Sequence, residues 1–154
     1  MNKFSIALAA AALIGTVGAA HAVDSNAKFG GSVNNSCSLA AGTDGVLMPN
    51  IDSDVLSSKV TGGVNATVAA LVTARGFTVR ALAPIAFTLG DSTNVTFASN
   101  YSLTGSTAAS NVAGATATTL NRGAHQVLVD LVATKSTGVF ANGTYQAEVT
   151  VRCE

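Results

Sequence analysis

Histidine is almost absent from this 154-residue chain: there are two, His21 and His125, and the first lies in a segment expected to be removed. A zinc or copper site built on histidines therefore has no second histidine within one chain. A Ser-His-Asp arrangement would have to use His125, yet no Gly-x-Ser-x-Gly turn or other nucleophile signature accompanies it. His125 reads instead as a strand-entry or exposed residue. Charge is equally scarce, with eight Lys and Arg against eight Asp and Glu and no run of either sign. That balance excludes the basic footprint of a nucleic-acid binder and a polybasic membrane contact. The pair Asp52 and Asp54 lacks the glycine and closing glutamate of an EF-hand loop, so it reads as a turn or solvated loop. The Gly-Gly pairs at 30–31 and 62–63 lack the lysine or helix start of a phosphate cradle. No cofactor, no metal and no enzymatic activity are expected.

Long apolar runs are missing too, apart from one at the start. Met1-Asn2-Lys3 leads into an apolar stretch over residues 6–20, and Ala20-His21-Ala22 has the small-x-small pattern that signal peptidase reads. Cleavage is expected after Ala22, which makes residues 1–22 a signal peptide and residues 23–154 a single domain of ordinary size. The apolar stretch is too short and too rich in Ala and Gly for a membrane anchor. No other run approaches the ~20 residues of a spanning helix, so no membrane span is expected in the mature form.

The chain has only two cysteines, Cys37 and Cys153. In an oxidising compartment an even count reads as a bridge, here with a single connectivity. The alternative is a pair of buried free thiols.

What the chain does have is period-two patterning. In "NGTYQAEVTVRCE", Tyr145, Ala147, Val149, Val151 and Cys153 share one side, with Gln146, Glu148, Thr150 and Arg152 on the other. In "AKFGGSVNNSCSL", Ala27, Phe29, Gly31, Val33, Cys37 and Leu39 share a parity broken only by Asn35. Both cysteines thus fall on apolar faces. Further strands are expected at 46–48, 64–73, 76–83, 85–89, 94–104 and 125–134, although Ala-rich 64–73 also suits a short helix. Turn residues separate these runs at strand-like intervals, including Gly62-Gly63, Gly90-Asp91 and Asn142-Gly143. Residues 105–119, nearly all small or polar, read as a flexible surface excursion. Seven or eight short strands with no amphipathic helix describe an all-β sandwich.

The two ends also carry a family resemblance. "FGGSVNNSCSLAAG" resembles the opening of chaperone-usher pilin subunits, and "GVFANGTYQAEVTVRCE" resembles their close, a Gly-Thr-Tyr turn before a terminal alternating strand. The short lead and that closing motif look most like the archaic branch, the spore coat protein U-like family. Together they span about 30 residues. The resemblance implies an incomplete immunoglobulin-like sandwich whose missing strand is lent first by a periplasmic chaperone and then by the next subunit, at an outer-membrane usher. Self or related pilin subunits would be the polymer partners, exported through the periplasm to the cell surface or beyond, with a role in adhesion or biofilm.

In such a subunit the donor strand would lie within residues 23–33, with Ala27, Phe29 and Val33 filling the groove. Tyr145, Ala147, Val149 and Val151 would line the acceptor. Strands flanking an inserted strand lie ~9.5 Å apart, twice the usual spacing, whereas a disulfide needs Cα atoms within about 7 Å. A Cys37–Cys153 bridge therefore belongs at the end of a groove, or in a self-complete secreted sandwich acting as a binding or matrix module. Both readings remain open on sequence alone.

Overall fold

A computed structural model describes residues 25–32 and 34–154. The expected signal peptide, residues 23–24 and Val33 lie outside the described residues. Residues 25–32 are exposed throughout and form no regular secondary structure.

The described residues contain ten strands and no helix. In chain order these are β1 (Cys37–Ala41), β2 (Met48–Pro49), β3 (Val55–Ser57), β4 (Ala66–Val72), β5 (Thr78–Leu82), β6 (Val95–Gly105), β7 (Ala109–Ala113), β8 (Thr118–Thr119), β9 (Gly123–Lys135) and β10 (Thr150–Cys153). All pairings are antiparallel, and the strands fall into a seven-stranded and a three-stranded sheet. The protein is an all-β sandwich.

β9 is the spine of the larger sheet because its alternation runs unbroken for 13 residues. His125, Val127, Val129, Leu131 and Ala133 are buried, while the residues between them face outward. β6 pairs with it from Val95 to Gly105. On its other edge β4 pairs with residues 123–129 and β3 with residues 132–134. Ser58 fills the changeover between those two partners. Its hydroxyl donates to Asp130 Oδ1 at 2.9 Å and accepts from the Leu131 amide at 3.1 Å. β1 extends the sheet beyond β4, with Cys37 opposite Val72 and Ala41 opposite Val68.

The smaller sheet has the order β10-β5-β8. Between the sheets lie two apolar clusters. The first gathers Val72, Val79, Tyr101, Leu103, Leu120 and Val127, with Cys37, Val149, Val151 and Cys153 packed against it. The second gathers Leu56, Phe87, Ala133 and Phe140, with Leu47, Phe97, Tyr145 and Ala147 packed against it. Phe87 contacts Phe97 at 4.8 Å and Tyr145 at 5.1 Å between ring centroids.

The strand expected at 64–73 forms as β4, Ala66–Val72, and not as the alternative helix, because the paired edges of β1 and β9 on either side fix an extended backbone. Three other expectations change. The alternating run 145–153 is paired as a strand only over Thr150–Cys153, with one further bridge at Gln146. Residues 85–89 make only a single bridge, Leu89 to Gln146. Residues 105–119, expected to be a flexible excursion, instead carry β7 and β8 and cross from one sheet to the other. Gly105 turns the chain at φ +105°, a conformation that side-chain-bearing residues rarely adopt. The crossing is held at buried Gly114, whose amide donates to Ser99 O at 2.8 Å while its carbonyl accepts from the Ala81 amide at 3.0 Å. Backbone pairing and close approach hold this stretch, so its small side chains are an asset there.

Candidate functional site: an open cleft between β1 and β10

Cys37 and Cys153 form a disulfide with Cα atoms 6.3 Å apart. It joins the start of β1 in the larger sheet to the end of β10 in the smaller one. From this staple the two strands run antiparallel, and a cleft of about 620 Å³ opens between them. Ala41 and residues 44–47 form one lip, and residues 145–149 with Val151 form the other. Ala66, Val68, Val129 and Leu131 line the floor. Tyr145, Ala147, Val149 and Val151, the four residues read from the sequence as an acceptor, all line this cleft.

The cleft has two properties that an ordinary surface groove lacks. The first is apolar surface left open on inner faces. Val46 is 44% and Val64 47% exposed, and the β1 register puts Leu39, 37% exposed, on the same face as buried Ala70. The second is a pair of backbone edges. Glu154 and Thr78 exchange both of their backbone hydrogen bonds, and Gln146 does the same with Leu89. Alternation then turns the even-numbered backbone groups of β10 toward β5 and those of Val151 toward the cleft, while residues 147–149, between β10 and the Gln146 bridge, keep the same alternation of half-buried and exposed side chains. The Ala81 amide, opposite Val151, accordingly turns away to Gly114. On β1 the same logic holds. Gly42 donates to Thr67 O and Ser36 accepts from the Thr73 amide, so Leu39 and Ala41 direct their backbone groups to the cleft. No strand pairs with these two edges among the described residues.

The far end of the cleft is fixed by Tyr145. Its ring packs against Phe87 and Phe140, and its hydroxyl donates to Ala141 O at 3.0 Å. A second, smaller cavity of about 370 Å³, lined by Pro49, Leu56, Phe140 and residues 141–144, adjoins it through Leu47 and Tyr145. The charged residues lining the main cleft are both acids, Asp44 and Glu148, and both are exposed.

Among the sequence-read donor residues, Ala27 and Phe29 are exposed, Phe29 at 96%, and Val33 lies outside the described residues. The sequence reading missed the opposite lip and the floor: Val46, Leu47, Val64, Ala66 and Val68 meet residues 145–151 only across the sandwich. His125 is a buried strand-entry residue rather than an exposed one, accepting from the Thr107 amide at Nδ1 and reaching Asn121 O from Nε2 at 2.8 Å. Asp54 is tied within its turn by Asn50, whose amide nitrogen donates to Oδ1 at 2.6 Å. No group of three or more His, Cys, Asp and Glu suited to a metal ion occurs among the described residues, and no helix there is long and apolar enough to cross a membrane.

Against known proteins, the chain matches no family model, no curated protein and no solved structure.

Proposed function

We propose that this chain is a structural, non-enzymatic subunit of a surface pilus or coat polymer, joined to its neighbours by donor-strand exchange. The observation that carries the reading is the cleft: two facing backbone edges without strand partners among the described residues, above an apolar floor. An extended peptide satisfies both edges at once and sends alternate side chains into the floor, which is strand addition in its most complete form. A small ligand would leave most of those backbone groups unpaired. A periplasmic chaperone would fill the cleft during export, and an outer-membrane usher would exchange that strand for the lead of another copy. Adhesion or biofilm formation would follow from the polymer.

The chain's own lead is a poor occupant of its own cleft. The Ser36 amide donates to Thr73 Oγ1 at 2.8 Å, and Thr73 Oγ1 donates to Asn34 O at 3.1 Å. These bonds continue β1 past Cys37, in the direction away from Ala41 and the cleft. A self-filling lead would have to reverse within one or two residues and pass the disulfide, where 6.3 Å between Cα atoms leaves no room for a strand. This supports filling in trans. It also favours a polymer over the self-complete binding module, for which the staple alone would argue.

Deletion of residues 23–33 tests the reading. The truncated chain should be recovered folded on its chaperone, accept a donor strand, and cap the polymers of full-length chains with which it is mixed. Polymers of undiminished length built from truncated chains alone would overturn it.

A further inference from the structure

We infer that the lead enters a neighbouring copy's cleft in one register, with Lys28 opposite Glu148, Phe29 opposite Ala147 and Gly31 opposite Tyr145. This rests on the strand-exchange reading above and goes beyond it by assigning partners residue by residue.

Direction comes first. The donor's body follows Asn34 closely, since Asn34 and Ser36 are tied to Thr73, so the body must remain outside the cleft at the end that is not stapled. Residues 27–33 then run from the staple toward Tyr145, antiparallel to residues 145–151.

Parity comes next. The inward residues of the lead are odd-numbered, as are the inward residues of the receiving strand, so only registers offset by two are allowed. Three independent features choose among them. Lys28 is the one base within residues 23–33, and Glu148 is an exposed acid on the receiving lip, with Asp44 as the other acid of the cleft. Phe29, the largest side chain of the lead, meets Ala147, the smallest inward residue of the receiving strand. Gly31, which has no side chain, meets Tyr145, the largest. Sliding the lead by one pair puts Lys28 against Thr150, Phe29 against Val149 and Gly31 against Ala147, and loses all three complementarities together. In the favoured register Ser25 reaches the level of Val151, and the staple closes the cleft one pair further on, at Cys153.

Two substitutions at outward positions test the charge pair without disturbing either core. In full-length polymer from the native cell, Lys28→Glu and Glu148→Lys should each shorten the half-life of the polymer, warmed in low-salt buffer and read on an unheated gel, by roughly two- to fivefold. The double variant should return to within about twofold of wild type. Gly31→Val gives an independent sign. A branched residue facing Tyr145 should shorten the half-life, whereas in the neighbouring register it would fill space beside Ala147 and lengthen it. Single charge variants without effect, a double variant without rescue, or a longer-lived Gly31→Val polymer would overturn the register while leaving strand exchange intact. Wild-type protein that forms no polymer would overturn both.

Discussion

Tyr101 shows how much this small core depends on single polar atoms. Its ring is fully buried, and its hydroxyl lies 2.8 Å from Thr116 O, 2.6 Å from Thr118 Oγ1 and 3.1 Å from Val79 O. It thereby joins β6 of one sheet to the chain around β5 and β8 of the other. Removing the hydroxyl takes its hydrogen bonding from a fully buried ring and from the carbonyl of buried Val79, so Tyr101→Phe should cost about 1–3 kcal/mol in denaturant unfolding. Asp91 is a contrasting surface case. Hydrogen bonds from Thr93, then from the Lys135 ammonium, lower its carboxyl from 3.8 to about 2. The folded state therefore binds that proton less readily than the unfolded chain. Its contribution is fully present above about pH 4 and is lost as pH falls toward 2. Asp91→Asn should flatten the dependence of melting temperature on pH in that window, and salt should weaken the wild-type effect.

The crossing through Gly114 and the staple between β1 and β10 are the elements on which the sandwich turns. A Cβ at Gly114 would collide with Ser99 Oγ and with the Ala81 carbonyl, which is backbone and has little freedom to move. Gly114→Ala should cost about 3 kcal/mol, within the range for overpacking, with the loss read by denaturant midpoint. The disulfide closes a loop with a sequence separation of 116. On the chain-entropy account, replacing both cysteines by serine should cost on the order of 4–5 kcal/mol in the same assay.

How far such elements can be read in advance depends on where their partners lie. Residues 145–153 alternate so regularly that their inward, half-buried face and one lip of the cleft are legible without coordinates, and the even cysteine count points to the disulfide. Residues 105–119 are not legible, because their order comes from backbone pairing and close approach, to which Ala, Ser, Thr and Gly give no hydrophobic period. The same holds for Val46, Val64 and Val68. Each looks like an ordinary strand residue, and only the Val46–Val64 bridge and the pairing of β4 with β1 and β9 bring them to the cleft that residues 145–151 line.

At the largest scale, residues 34–154 form a sandwich stapled at one end and open along the line between β1 and β10. Open apolar surface at Val46 and Val64, which line the cleft, should bind a hydrophobic dye in the isolated chain and lose that binding when a peptide strand is added in trans, if the proposed strand exchange holds. Under the proposed strand exchange, the cleft is filled by another copy of the chain. An unheated SDS gel of the protein recovered from the cells that produce it, run with and without reductant, should then show a ladder that survives cold SDS and reductant and collapses on boiling. A single band that only changes mobility on reduction would contradict it, leaving a stapled monomer in its place.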